Sequence, residues 1–457
     1  MNNKKYDTII IGAGLTGLTT AFYLSKQGKS VLVLESKDRV GGQIETFHQD
    51  GFIFEKGPNT GVVSYPEVAE LFQDLAPLCE LETAREEAKR RLIWKGDRFH
   101  EIPASLFAAI RTPLFSWYDK FRILGEPLRK RGDNPVESVA SLTRRRLGKS
   151  FLNYAVDPFL SGVYAGNPET LITQYALPKL YNLEQEYGGF VKGAIAKSKQ
   201  PKTERDKLAT KKVFSAKGGL EEIPKALLTK IGKERVVTSA ENIHIKPSED
   251  GKWSAEFIHE EKSYSVFSDQ VITTTGAYAL NKLLPFVSSN LISRINNLEY
   301  APVIQVSVGV KDTKGLKFNA FGGLVPSVED REVLGILYPS ACFEGRAPKE
   351  GALFSFFIGG VKHRELTRLN NEDLTKLVKR NFHSMLKFPE SVEPDLIHIF
   401  RHLQAIPQYE ETSKARFEAI ETIQTQYPGL ILGGNIRGGI GMADRIKQGV
   451  ELAQHQI

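Results

Sequence analysis

The chain has 457 residues, 41% of them hydrophobic and 25% charged, with a formal charge of +7 at neutral pH. This is enough apolar content for two or three domains with their own cores, and too much for a disordered chain. The positive balance suits an anionic substrate, an anionic membrane surface or nucleic acid, and the two cysteines, Cys79 and Cys342, lack any CxxC or metal-type spacing, as expected of a reduced, cytoplasmic protein.

The first element is an apolar run from Thr8 to Ile11, with the branching of a buried parallel strand. It breaks at Gly12-Ala13-Gly14-Leu15-Thr16-Gly17 and continues as a helix with Leu15, Leu18 and Phe22 on one stripe. A second strand, Ser30 to Leu34, ends in Glu35 and completes a βαβ unit. Gly12 allows the tight turn, Gly14 lets a pyrophosphate approach the backbone, and Gly17 lets helix and strand pack closely. The phosphates then face unpaired N–H groups at the positive end of a helix. Glu35 stands where a carboxylate accepts hydrogen bonds from an adenosine ribose, and it disfavours a 2′-phosphate. A second glycine turn follows at Arg39-Val40-Gly41-Gly42, where it can reach the same pyrophosphate and Arg39 can neutralise it.

These residues carry a resemblance. Glu35-x3-Arg39-x-Gly41-Gly42, then Gly51-Phe52 and Glu55-x-Gly57-Pro58, resembles the flavin amine oxidase superfamily, and the last two pieces its protoporphyrinogen oxidase branch.

Further along, Pro66 to Leu75 reads as a helix and Arg90 to Asp97 as a hairpin. Arginine pairs on hairpins are usually solvated, but the resemblance places Arg91 at a position that faces a substrate propionate. Residues 104–131 mix large apolar side chains (Leu106, Phe107, Ile110, Leu114, Phe115, Trp117, Phe121, Leu124) with six basic ones. Such a mixture suits a helix lying in a membrane surface, or a helix pair packed on its neighbours. Residues 136–210 look mostly helical. In that region Arg144-Arg145-Arg146 reads as a solvated face, and 197–212, with seven basic and two acidic residues, as a mobile loop. Asp157-Pro-Phe-Leu-Ser-Gly-Val-Tyr-Ala-Gly-Asn-Pro168 is close to a stretch of the same branch, in which Gly162 lies against the tetrapyrrole. A helix opens after Gly218-Gly219, and the resemblance implies that the short strand at Val236-Val237 returns to the dinucleotide sheet, which Asp269 to Thr275 completes.

Residues 300–360 read as a separate antiparallel sheet, with Leu353 to Ile358 buried on both faces. Phe321-Gly322-Gly323-Leu324-Val325-Pro326-Ser327 matches the branch closely. By that resemblance Phe321, Leu324, Leu337 and Phe357 are pocket residues, whereas without it all four would be assigned to the core. The end of the chain, a strand at Leu430 to Leu432, Gly433-Gly434-Asn435 and a final helix, sets a second helix N-terminus beside the cofactor. His398 and His402 lie in a strand-like segment and are read as structural. No Ser/His/Asp nucleophile motif, Walker loop, metal cluster or run of eighteen apolar residues occurs. The early first strand leaves no room for a targeting peptide.

The resemblance implies an α/β fold: a Rossmann-like, three-layer FAD-binding domain, an inserted antiparallel-sheet substrate domain and a helical, membrane-associating insert. The expected division is 1–61, 212–284 and 422–457 for the FAD-binding domain, 62–103 and 285–421 for the substrate domain, and 104–211 for the insert. FAD contacts are expected at Gly12, Gly14, Leu15, Thr16, Gly17, Glu35, Ser36, Arg39, Gly41, Gly42, Gln43, Gly57, Pro58, Asn59, Val237, Gly434, Asn435, Ile440, Gly441 and Met442. Gln43 replaces the arginine of the amine oxidases, and the absence of a C-terminal cysteine makes the flavin non-covalent. Substrate contacts are expected at Arg91, Gly162, Phe321, Leu324, Leu337 and Phe357. The implied reaction is oxidation of protoporphyrinogen IX, in three two-electron rounds with oxygen as acceptor, by a peripheral membrane protein. Hand-off to a ferrochelatase, no nucleic acid and a monomer or homodimer complete the expectation; no general base is assigned. A coproporphyrinogen oxidase, kept open by Arg90 beside Arg91, and a non-catalytic escort protein of this fold are the rivals.

Overall fold

The computed structural model describes residues 3–103, 111–248 and 252–454. Strand Lys5–Ile11 runs parallel to Val31–Leu34 on one side and to Lys262–Thr273 on the other. Val236–Val237 and Leu430–Leu432 extend the sheet at either side, again in parallel. Strands covered on both faces become continuous apolar runs, and Val31–Leu34 is wholly buried. Ile10 and Val33 point into a core shared with helices Leu15–Lys26, Pro66–Leu75, Glu222–Ile231 and Met442–Gln454. Ile9, Ile11, Leu32 and Leu34 point the other way, onto helices Ser289–Asn296 and Ser413–Gln426. This is the expected three-layer arrangement. Residues 61–83 pack with this layer too, because Gly61–Val62 and Leu81–Thr83 both pair with Val213–Ala216.

A second sheet has seven strands in the order Leu396–Pro407, Tyr300–Val310, Ala352–Gly359, Val333–Leu337, Gly322–Leu324, Arg91–Lys95, Arg98–Glu101. Neighbours are antiparallel except Gly322–Leu324 with Arg91–Lys95, which are parallel. The period-2 alternation of side chains gives the sheet two faces. Val306, Phe354, Phe356 and Ile336 pack outward on helix Asn371–Leu386. The inner face meets the dinucleotide domain: Gln305, 1% exposed, reaches across to accept the Gly57 N–H and to donate to the Glu55 carbonyl.

The helical region corrects two expectations. Arg146 is not part of a solvated face. It is completely buried and paired with Glu126 and Glu184, both at 2.6 Å, while Arg145 bridges Glu184 and Glu137. Their partners lie up to 39 residues away, so the local sequence carries no trace of this network. Nor is 197–212 a free loop. Thr203 caps the short helix Glu204–Lys207, and Arg205 pairs with Glu67 and Glu70 of the dinucleotide domain.

Of residues 104–131, 104–110, with Leu106, Phe107 and Ile110, lie outside the described residues. In the rest the inward and outward positions separate. Leu114 is buried and Phe115 stacks on Phe151 at 5.2 Å, so neither belongs to an exposed face. Helix Trp117–Leu124 turns the other side outward, with Trp117 61%, Tyr118 73%, Phe121 67% and Leu124 72% exposed, and Leu128 continues the patch. No helix among the described residues is long and apolar enough to cross a membrane.

Candidate functional site

The opening strand delivers the chain to Gly12 at φ +104°, a conformation that side chains with a Cβ rarely adopt. A Cβ on Gly17 would lie 2.0 Å from the Gly12 carbonyl oxygen, so this contact between helix and strand requires glycine. Gly14 differs: nothing lies within 4 Å of where its Cβ would be. It also begins helix Leu15–Lys26 without a side-chain cap, and the first turn carries no acidic residue. The N–H groups around Leu15, Thr16 and Gly17 thus form a helix end open to an anion.

The second glycine turn closes on the first. The Gly41 N–H donates to the Ala13 carbonyl at 2.8 Å, and Gly42 lies against Gly14. Arg39 braces this turn. It donates to the carbonyls of Val40, Gly42 and Ile44 and pairs with Glu45 at 2.8 Å, which shapes the turn that ends in Gly42 and Gln43. Glu35 is buried, its carboxylate accepting from the N–H groups of Ala13 (2.7 Å) and Lys37 (2.9 Å) and from the Ser36 hydroxyl. Four lone pairs leave it acceptor capacity for a ribose. The Glu35 N–H donates to the Val237 carbonyl, which puts Val237 beside it.

Gly57, Pro58 and Asn59 sit between the two sheets. Asn59 donates to the Gly57 carbonyl and accepts from the Ser355 hydroxyl at 2.8 Å. Glu55 just before them is buried, and burial pushes its carboxyl up to about 7 in spite of hydrogen bonds from Thr46 and the Leu220 N–H. At the end of the chain, Gly434 donates its N–H to Gln448, Asn435 accepts from the Tyr300 hydroxyl, and Gly441 donates to Asp444. Ile440 packs beside Tyr164 and Tyr409. Met442, at the start of the final helix, lies against Gly61. Arg445 gathers this loop, donating to the carbonyls of Gly434, Arg437, Gly438 and Gly439.

Every one of these features fits a dinucleotide flavin. An uncapped helix end opens at Gly14, a buried carboxylate lies eighteen residues past Gly17, and two hydrogen-bonded glycine turns lie side by side.

On the substrate side the strand registers bring the expected residues to one face. Leu324 pairs with Gly335 and Gly335 with Phe357, so all three stand in one row. Arg91, Gly322 and Leu337 form the next row. Gly162 presses on this floor from the helical region: a Cβ there would come 2.3 Å from Leu324. Phe321 stands one step off the rows, at the strand end, with the Arg91 guanidinium 5.9 Å from its ring centre. Arg90 faces the opposite side, paired with Glu101 at 2.8 Å, whereas Arg91 has no carboxylate partner among the described residues.

Several residues that the sequence did not single out belong here. Phe159 and Val163 are exposed and share a helix face with Gly162, at i, i+3, i+4 spacing. Leu334 is turned to this side by a bulge between Val333 and Gly335 and packs with Phe357 and Ala165. Gln305 is a clamp whose partners are distant in sequence, and Arg445 one that holds the loop just before its own helix. Of the two histidines read as structural, His398 stacks on Phe400, whereas His402 has a buried Nε2 with no partner among the described residues and a pKa lowered by burial and by Lys56 and Lys37.

A fold of this kind with this site defines a flavin-dependent oxidoreductase. The chain matches the family described as flavin containing amine oxidoreductase over residues 15–455. It is 30% identical to protoporphyrinogen oxidase 1, chloroplastic, of Arabidopsis thaliana, over 98% of this chain and 87% of that one. It is 26% identical to coproporphyrinogen III oxidase of Bacillus subtilis (strain 168), covering 98% and 97% of the two chains. Among solved structures, a protein of Exiguobacterium sp. 255-15 superposes with a TM-score of 0.80 at 21% identity, covering 99% of this chain and 98% of that one. Cyclohexylamine oxidase of Brevibacterium oxydans IH-35A does so at 0.68 and 15% identity, with 98% of each chain covered. The chain belongs to the flavin-containing amine oxidoreductase family, and FAD is its cofactor.

Proposed function

We propose that this enzyme oxidises protoporphyrinogen IX to protoporphyrin IX, with oxygen as the final acceptor. The observation that carries the reading is the inner row of Leu324, Gly335 and Phe357, facing Gly162, with Leu337 and Arg91 beside it, Arg91 having no carboxylate partner among the described residues. A flat, apolar macrocycle with anionic propionates asks for apolar walls and a cation at their edge.

FAD, when bound, supplies the two-electron acceptor. The chain's residues hold it: the Gly14 helix end and the Gly41-Gly42 turn take the pyrophosphate, Glu35 the ribose, and residues 434–442 the flavin ring. Leu324, Leu337, Phe357 and the helix face of Phe159, Gly162 and Val163 exclude water around the macrocycle. Arg91 fixes its orientation by pairing with a propionate, and that sets which methylene bridge lies toward the flavin.

The exposed Trp117, Tyr118, Phe121, Leu124 and Leu128, with Lys120 and Lys130 among them, support peripheral contact with an anionic membrane from the cytoplasmic side. An apolar product released there would reach a ferrochelatase without crossing water.

Coproporphyrinogen is the second reading, supported by the Bacillus subtilis relative. Its four propionates ask for more cations than one, and Arg90 is turned away and already paired. Porphyrin fluorescence measured in parallel on both porphyrinogens tests the choice. A higher kcat/KM on protoporphyrinogen is expected; the reverse order would reassign the substrate.

A further inference from the structure

Arg416, in helix Ser413–Gln426, is 1% exposed and has no carboxylate partner among the described residues. Its Nη2 donates to the Ser413 hydroxyl at 3.1 Å, while Nε and Nη1 are buried with no acceptor among the described residues. The guanidinium instead lies against two rings, 5.3 Å from the centre of Tyr409 and 4.9 Å from that of Phe417. Stacking of this kind returns far less than the cost of burying an unpaired charge. A fold that keeps such a charge has a use for its field.

The field points toward the cofactor loop. The Tyr409 hydroxyl accepts the Gly439 N–H at 2.9 Å and lies 3.3 Å from the Gly439 carbonyl. The Tyr300 hydroxyl accepts the Ala277 N–H and donates to Asn435 at 3.1 Å. The guanidinium stacks on the Tyr409 ring itself, and Tyr300 packs in the same core as Ala419 and Ile420 of the Arg416 helix. One aromatic layer therefore separates an uncompensated cation from the segment 434–442. A flavin ring gains negative charge on reduction, and a nearby cation across a low-dielectric layer favours that state.

We propose that Arg416 is a positioning residue of the flavin site: acting through Tyr409 and Tyr300, it orients the 435–439 loop and raises the reduction potential of the bound flavin. This rests on the reading that residues 434–442 line the flavin ring.

The test uses FAD-loaded Arg416→Met, Arg416→Lys and Gly441→Val, with flavin content, absorption spectrum and midpoint potential by dye equilibration. Arg416→Met should retain FAD but lower the potential, so that the reduced-to-oxidised ratio at a fixed ambient potential falls roughly tenfold. Arg416→Lys, which keeps the charge, should recover most of the loss. A potential in Arg416→Met equal to the parent's overturns the inference. Should Arg416→Met fail to fold, Arg416→Gln decides, since it removes the charge and keeps hydrogen-bonding capacity; a lowered potential supports the inference and an unchanged one overturns it. Gly441→Val separates the two layers of the argument. If its flavin spectrum matches the parent's, the loop does not line the flavin and the underlying reading falls. If its spectrum shifts while Arg416→Met leaves the potential alone, only the role of Arg416 falls.

Discussion

Arg90 and Arg91 are adjacent in sequence and opposite in space, and that difference is measurable. Arg91 stands on the inner face with no carboxylate partner among the described residues; Arg90 is held by Glu101 on the outer one. A charge-assisted hydrogen bond contributes roughly 1.5–3 kcal/mol, so Arg91→Ala should lower kcat/KM by about ten- to a hundredfold. Most of the loss should fall on KM, FAD content should stay constant, and Arg90→Ala should be close to neutral. Equal effects from the two substitutions would remove the propionate assignment. Glu55 gives a second prediction at this scale. Its folded pKa, about 7, lies above the ordinary value of 4.5, so the protonated form is the one the fold favours. The associated stability is fully present below pH 4.5 and is lost as pH rises through 7, by roughly 3 kcal/mol. Glu55→Gln, which cannot titrate, should therefore gain on the parent in urea unfolding as pH rises from 4.5 to 8. A stability difference that stays flat over this range would show that the buried carboxyl does not take up its proton there.

At the scale of elements, the outward face of helix Trp117–Leu124 is the feature that asks for a partner. Side chains at 117, 121 and 124 recur on one helical stripe, and each is more than half exposed. Phe121→Asp with Leu124→Asp should release the protein from vesicles containing anionic lipid and leave activity in detergent intact. Unchanged partitioning in flotation assays would show that the stripe does not touch the bilayer. The turn that follows this helix is held by Glu126, which pairs with the buried Arg146 beside Glu184. Breaking such a network leaves an uncompensated buried charge, so Arg146→Met should cost about 3–5 kcal/mol. The loss should appear as a lowered Tm, with the flavin spectrum preserved.

Across the whole molecule, what was legible in the sequence is what local chemistry forces. Gly12, Gly17, Gly41 and Gly42 mark positive φ or close backbone approach, and their spacing alone reveals the dinucleotide turn. The alternation of strand residues likewise sends Arg90 and Arg91 to opposite faces. What could not be read depends on partners far along the chain. Arg146 looks like a surface arginine until Glu184, 38 residues on, is placed beside it. Leu114 and Phe115 look like their exposed neighbours until packing separates them. Arg39 matches a phosphate ligand by spacing, yet its geometry is that of a brace for the second turn. Gly14 remains the most exacting position, because it faces open space that the pyrophosphate would fill. Gly14→Val should abolish the flavin spectrum without unfolding the protein, and in the parent acid or heat should release FAD intact. The most direct measurement of the central claim is anaerobic mixing of the FAD-loaded enzyme with protoporphyrinogen IX in a stopped-flow spectrometer. Flavin absorbance should bleach in a single turnover, faster than with coproporphyrinogen III, and recover when oxygen is admitted. Flavin that stays oxidised in the presence of protoporphyrinogen would contradict it.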